Sequence, residues 1–229
     1  LGSILENGRG DMSSILYHCM ENRTTPFDLN KKSNPILPGA YTYHFDGNEV
    51  GKYFKQISMK YGVKCINSDV NDIQFNSNEY IEKLNLSNGV DVIGDMFIDC
   101  TGFSKILIGK TKNKWISFKE NLITNSAIPY SENVKSRTIN FQTDAKAMNA
   151  GWSWKIPLQD RNGCGYVYCD AFQSFDESVK EMQSKAGDNI IPIRDIKFES
   201  GRYEKLWYKN VLAAGLSSHF LEPLQATSI

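Results

Sequence analysis

Apolar residues first fall into a regular rhythm at Val50, Phe54, Ile57 and Tyr61, the three-or-four-residue spacing of one helical face. Asp46 stands before them as an N-cap, with Glu49 at the capping-box position, and Gly62 follows as a stop. The rhythm then changes to short β-type runs. Val63–Asn67 reads as a short strand, and Asp72–Asn76 and Tyr80–Leu86 read as an antiparallel pair. The Asn88-Gly89 turn leads into a further strand. Gly94–Cys100 is a short apolar strand interrupted by acid and closed by Thr101-Gly102. From Trp115 to Asp170 no helical period survives and β-formers dominate, which predicts a sheet. Within it, Asn162-Gly163 predicts a hairpin turn between Ile156-Pro157-Leu158 and Tyr166-Val167-Tyr168. A polar helix follows over Asp176–Ala186, with Val179, Met182 and Ala186 on one face and Gly187 as its stop. Val211–Gly215 is a small buried-type strand that opens into a Ser/Pro-rich loop. Residues 1–45, with Pro26, Pro35 and Pro38, carry no long element.

Composition narrows the function classes. The 229 residues are 41% hydrophobic and 23% charged, an ordinary globular balance. Lys+Arg and Asp+Glu both number 26, so net charge offers no reason for a nucleic-acid or anionic-membrane partner. No run approaches the roughly 18 apolar residues of a membrane span. Five cysteines, Cys19, Cys65, Cys100, Cys164 and Cys169, lack zinc spacing and an even disulfide count, and Cys164 with Cys169 forms at most a lone pair. Buried free thiols in a reducing cytoplasm are therefore expected, with no metal.

Three constellations carry candidate chemistry. Asp95-Met-Phe-Ile-Asp99-Cys100-Thr101-Gly102 ends a strand in residues that let backbone approach a ligand. Gly151-Trp152-Ser153-Trp154-Lys155-Ile156-Pro157-Leu158 places two indoles on one strand face, either as a core stripe or as a functional wall. Gly215-Leu216 through Glu222-Pro223-Leu224-Gln225-Ala226-Thr227-Ser228 follows a buried strand with a loop of small hydroxyl residues. Taken singly, each has a plain structural reading: a strand-to-turn junction, an aromatic core, a surface loop. His44 beside a helix cap reads as structural, and His219 as a loop residue of no assigned role.

In this order the three motifs resemble flavin-dependent halogenases of the tryptophan halogenase family, over most of residues 40–229. Tyr43-His44-Phe45-Asp46 with Val50-Gly51-Lys52-Tyr53-Phe54 is similar to a segment that leads into a helix in that family. Trp152-Ser-Trp154-Lys-Ile156-Pro157 fits its Trp-x-Trp-x-Ile-Pro signature. The resemblance implies an α/β, FAD-dependent monooxygenase/halogenase-like fold with mixed sheets. It also implies oxidative halogenation of tryptophan, indole or another electron-rich aromatic through a flavin hydroperoxide and hypohalous acid. It assigns Thr101, Gly102, Gly215, Leu216, Pro223 and Leu224 to FAD and Thr227 and Ser228 to halide. Trp152, Trp154, Ile156 and Pro157 would wall the tunnel or keep substrate from the flavin. Its partners would be a small aromatic substrate and a flavin reductase that supplies reduced FAD.

The sequence departs from the family in two ways. It has no Gly-x-Gly-x-x-Gly dinucleotide motif and no lysine in the context of the family's catalytic one, so residues 1–229 read as an internal, partial halogenase domain that alone binds FAD weakly or not at all. Where the family has glutamate, this chain has Gln225, which cannot exchange a proton at neutral pH. Glu222 is the nearest alternative acid in sequence. Two other functions remain: a divergent or non-catalytic flavin-binding protein, and a flavin monooxygenase.

Overall fold

The computed structural model describes residues 43–133, 142–186 and 190–223, together with two short strands, β1 (Phe27–Asp28) and β2 (Asn34–Pro35), which pair antiparallel. Helix α1 (Gly47–Lys60) begins where the cap predicts. The Asp46 carboxylate accepts from the backbone N–H groups of Asn48 at 2.8 Å and Glu49 at 3.4 Å. Glu49 turns outward to Lys52 at 2.7 Å rather than back to the cap, so the capping box is half used. Gly62, at φ 85°, takes the left-handed conformation just beyond the C-terminus.

The expected strand at Val63–Asn67 is irregular chain, because no neighbouring strand among the described residues offers it a ladder. Regular extension begins later, with β3 (Val70–Phe75), β4 (Ile81–Leu86) and β5 (Asp91–Ile93) forming an antiparallel meander. The run from Gly94 contributes only β6 (Phe97–Asp99). Next come β7 (Trp115–Ser117), β8 (Ser126–Asn133), β9 (Asp144–Met148), β10 (Gly151–Pro157) and β11 (Arg161–Tyr168). Helix α2 (Phe175–Ala186) follows, capped by Ser174: its N–H donates to Glu177 at 2.9 Å while its hydroxyl accepts from the Glu177 N–H at 3.4 Å. The rest is β12 (Ile196–Lys197), β13 (Gly201–Tyr203), β14 (Trp207–Tyr208), β15 (Val211–Ala213) and β16 (His219–Phe220).

The largest sheet runs β12-β8-β11-β10-β9, all antiparallel. Its hairpin between β10 and β11 exists, but it turns at Gln159-Asp160, closed by the Leu158 N–H on the Arg161 carbonyl at 2.8 Å. Asn162 and Gly163 instead lie inside β11, opposite Pro157 and Ile156. Packing elsewhere in the hairpin outweighs the Asn-Gly turn signal, by fixing the register that sets Gly165 against Trp154 and Gly151 against Tyr168. A Cβ on Gly165 would sit 2.0 Å from the Trp154 ring, and one on Gly151 would sit 1.9 Å from the Val167 carbonyl oxygen. The opposite face of β11 buries Cys164, Tyr166 and Tyr168 with Ile128, Tyr130 and Met182 of α2.

A second core gathers Ile81, Leu84, Phe97, Ile108, Tyr203 and Val211. It joins the β3–β5 meander to a small mixed sheet, β14-β15-β6, in which β15 and β6 run parallel. A third small sheet, β16-β13-β7, completes the fold. Cys164 and Cys169 are buried free thiols, and burial pushes Cys164 up to about 12. Cys65 and Cys100 are free but exposed, contrary to the expectation of burial, because they stand in chain that no sheet covers.

Candidate functional site

The parallel strands β6 and β15 end side by side, and each passes into a glycine with positive φ: 64° at Gly102 and 59° at Gly215. Each glycine then opens a single 3₁₀ turn, Gly102–Ser104 and Gly215–Ser217. A side chain at either position would be strained by the backbone, yet a Cβ there would meet nothing within 4 Å. Main chain is thus presented toward open space at the carboxyl ends of two parallel strands, where ligands of open α/β sheets bind.

Asp99 holds the two turns together. It is 0% exposed, yet both oxygens are fully used. Oδ1 accepts from the Thr101 N–H at 2.9 Å, the Thr101 hydroxyl at 2.6 Å and the Ser217 hydroxyl at 3.2 Å. Oδ2 accepts from the N–H groups of Leu107 at 2.9 Å and Ile108 at 2.8 Å. Burial pushes the carboxyl pKa up, but this set of donors outweighs it and holds the group below the usual aspartate value. Ser217 lies within 3.2 Å of the Gly102 carbonyl as well, and the Ala214 N–H donates to the Asp99 carbonyl at 2.9 Å. Asn210 plays the same part at the other end of the pair. Its side chain donates to the Ile81 carbonyl and accepts from the Ile81 N–H, both at 2.9 Å, while its own carbonyl accepts from Phe97 at 2.8 Å.

Of the residues singled out by sequence, Thr101, Gly102, Gly215 and Leu216 come together here. The Thr101 hydroxyl is committed to the turn, donating to Asp99 and accepting from Ile106 at 2.8 Å, and its N–H is held by Asp99 as well, so Thr101 shapes the turn and offers a ligand no free donor. Glu222 and Pro223 are half-buried just beyond β16. Among the described residues, the hydrogen bonds that join the two turns run through Asp99, Thr101 and Ser217, without Glu222. Leu224, Gln225, Thr227 and Ser228 lie outside the described residues.

Trp152 and Trp154 share a face of β10, as their spacing requires, with ring centroids 5.9 Å apart at 56°. Trp154 lies over Gly165 of β11, and Ile156 is on the same face opposite Gly163. Pro157 is buried at the end of the strand, and its carbonyl, which can only accept, fixes the His44 proton on Nδ1 at 3.2 Å. His44 Nε2 then meets the Thr143 hydroxyl at 3.2 Å, and with the Asp46–Arg161 ion pair at 2.5 Å it ties the start of α1 to the large sheet. His44 is structural, as its place beside the cap suggests. His219 Nδ1 lies 2.7 Å from the Ser218 hydroxyl, next to the Gly215 turn.

The sequence assigns no role to Asp99, Asn210 or Ser217, although Asp99 stands inside the first constellation. An acid inside an apolar strand was the available signal for Asp99, since a carboxylate there must find several donors.

The sequence model described as tryptophan halogenase matches residues 6–229. The chain belongs to the tryptophan halogenase family. Tryptophan 7-halogenase RebH of Lentzea aerocolonigenes is 32% identical, over 89% of this chain and 42% of the relative. The crystal structure of the tryptophan 6-halogenase SttH from Streptomyces toxytricini superposes at a TM-score of 0.85 with 27% identity, covering 93% of this chain and 46% of that one. A flavin-dependent halogenase from Xanthomonas campestris superposes at 0.77 with 32% identity, covering 83% and 40%. The chain thus spans less than half the length of these halogenases. The α/β fold with mixed sheets is that of the family.

The twin turns suit the flavin this family uses. Two left-handed glycines free of neighbours let a flat ring come close, and successive turn amides can face anionic oxygens. Asp99, the carboxylate the two turns share, is buried and saturated, so it sets no uncompensated negative charge against such a ligand. No helix among the described residues is long and apolar enough to cross a membrane.

Proposed function

We propose that this chain carries part of an FAD-dependent halogenase that acts on tryptophan, indole or another electron-rich aromatic. One observation carries the reading: the glycine turns at Gly102 and Gly215, locked side by side by Asp99, in a chain that also bears Trp152-Ser-Trp154-Lys-Ile156-Pro157. A flavin held here and reduced by a partner reductase would supply, with dioxygen as the two-electron oxidant, the oxygen-level equivalent that makes halide electrophilic. The protein's own residues do the rest. Gly102, Gly215 and Leu216 offer backbone to the cofactor, and Thr101 and Pro223 frame it with Leu224. Asp99 keeps both turns in place before the cofactor arrives, so little ordering is left to binding. Trp152 and Trp154 form an apolar wall that excludes water and bulky substrate. Thr227 and Ser228 supply hydroxyl donors to the halide. Gln225 can orient a neighbouring group by hydrogen bonding but moves no proton. Free thiols and a need for reduced flavin fit a cytoplasmic setting.

The decisive experiment inserts residues 1–229 into the Lentzea relative in place of its matching stretch. The chimera then receives FAD, a flavin reductase with NADH, bromide or chloride, and tryptophan or indole. A monohalogenated arene by mass spectrometry is the expected product. Flavin binding without product supports the second reading, a flavin-binding protein without halogenase activity, which Gln225 favours. In that case Gln225→Glu is expected to restore turnover by up to the roughly 10²–10⁴-fold that a positioned acid/base contributes.

A further inference from the structure

The two glycine turns are closed differently. The Gly102 carbonyl accepts from the Lys105 N–H at 3.1 Å and lies 3.2 Å from the Ser217 hydroxyl, which also meets Asp99. The Gly215 carbonyl accepts twice from Ser218, from the N–H at 2.9 Å and from the hydroxyl at 2.7 Å. Ser218 is 2% exposed, and its own carbonyl accepts from the Tyr203 N–H at 3.0 Å, which ties it to β13. A serine hydroxyl has a single proton. Directed at the Gly215 carbonyl, which can only accept, that proton does not serve His219 Nδ1, 2.7 Å from the same oxygen. Nδ1 therefore carries a proton of its own and donates to Ser218. The result is a chain of two hydrogen bonds, from His219 Nδ1–H to the Ser218 hydroxyl and on to the Gly215 carbonyl. The β16–β13 ladder holds its far end, where His219 lies opposite Arg202. The Arg202 guanidinium turns instead to the carbonyls of Tyr203 and Glu204, at 3.0 and 3.1 Å.

We propose that His219 is a positioning residue of the Gly215 turn, acting through Ser218 to aim the Leu216 N–H out of that turn. A trans peptide points its N–H opposite to its C=O. With the Gly215 carbonyl drawn in toward Ser218, the Leu216 N–H faces the other way, and the carbonyl is occupied rather than set against an approaching oxygen. The Asp99 carboxylate reaches this turn through Ser217 and not through the Gly215 carbonyl, so the second turn needs its own lock. A hydroxyl that already accepts a hydrogen bond is polarised into a stronger donor, which is what His219 adds. The chemistry recognised by such an amide is a carbonyl or anionic oxygen. The proposal rests on the reading of these turns as a flavin site for its ligand, an oxygen of the flavin, but not for its geometry.

Titration of the Lentzea chimera with FAD, followed by flavin fluorescence, tests this without turnover. His219→Leu is expected to weaken FAD binding about three- to tenfold, the effect of one lost hydrogen bond. His219→Asn, whose side-chain amide can donate from near the place of Nδ1, is expected to bind within about twofold of the parent. In a Ser218→Ala background, His219→Leu is expected to change affinity by less than about twofold, because the group it acts through is gone. Unchanged binding in His219→Leu overturns the proposal, and so does a loss that persists at full size in the Ser218→Ala background. Proton–nitrogen correlation NMR of 1–229, with His219→Asn to assign the signal, reads the neutral ring directly and depends on no variant's stability. A proton on Nδ1 is the expected result, and a proton on Nε2 alone overturns the proposal. A parent chimera that binds no flavin counts against the flavin reading of the turns, and the tautomer then decides the part played by His219.

Discussion

The five-stranded sheet and the β6–β15 pair are held together by different physics. In the large sheet, long antiparallel ladders carry aromatic side chains, and Tyr166, Tyr168, Ile128 and Met182 are buried against one another. In the small pair, each strand is three residues long, and hydrogen bonds to two polar side chains, Asp99 and Asn210, tie it to its surroundings. The first region resists change by packing and is sensitive to volume. The second is specified by donors and acceptors and is sensitive to charge. The turns of the proposed flavin site sit on the second kind of framework, which can fix backbone atoms without filling the space a ligand needs.

The largest expected effect is at Asp99. Asp99→Ala strands the buried N–H groups of Leu107 and Ile108, each costing about 1–3 kcal/mol when unpaired, while that of exposed Thr101 can turn to water, for a total of about 2–6 kcal/mol by urea unfolding. The same carboxyl predicts an acid limit. Its pKa is lower folded than unfolded, so its contribution is fully present above the ordinary value of 3.8 and fades as pH falls below it through the folded value. Asp99→Asn is expected to flatten that part of the stability–pH curve. An unchanged acid limb in this variant would place the sensitivity elsewhere.

Gly165→Ala breaks the other region by volume. Its Cβ would lie 2.0 Å from the Trp154 ring, and overpacking of this kind costs about 1–3 kcal/mol. Trp154→Ala should relieve most of that in a double-mutant cycle, with a coupling near 1 kcal/mol or more. Simple additivity would mean that the indole moves freely and is not a fixed wall.

Gly102→Ala and Gly215→Ala separate stability from binding. With φ at 64° and 59° and no atom in the way, each should cost about 1–2 kcal/mol in unfolding. If these backbones approach the cofactor, flavin affinity of the chimera should fall by more than that stability change explains. Parallel losses in both measurements would leave the turns as architecture alone.

The smallest effect is expected at Lys105. It holds φ 47°, a glycine-like conformation, while its ammonium sits 3.2 Å from the Trp115 ring centroid. Lys105→Gly removes roughly 1 kcal/mol of backbone strain and a cation–π contact of about the same size, so Tm should move by only a few degrees.

Local patterns were sufficient for α1, α2, the meander and the presence of the β10–β11 hairpin, because caps, helical spacing and alternation act within a few residues. They were also sufficient for the family, through Trp152, Trp154, Ile156 and Pro157 followed by Glu222-Pro223-Leu224. The hairpin turn was misplaced because Asn162-Gly163 satisfies a local turn preference, while the room needed by a ring eleven residues earlier, that of Trp154, kept glycine at 165 inside the strand. The Val63–Asn67 strand was misread for the opposite reason: local β-preference has no force without a neighbour to bond.

By itself, then, the sequence determined the two helices, the antiparallel meander and the family, since these are written in short-range order. Tertiary structure alone decided that Gly102 and Gly215, 113 positions apart, end adjacent parallel strands, and that Asp99 spans them to Ser217. Strand partners and the donors of a buried carboxylate are chosen across the whole chain, by which groups can be satisfied together once water is excluded.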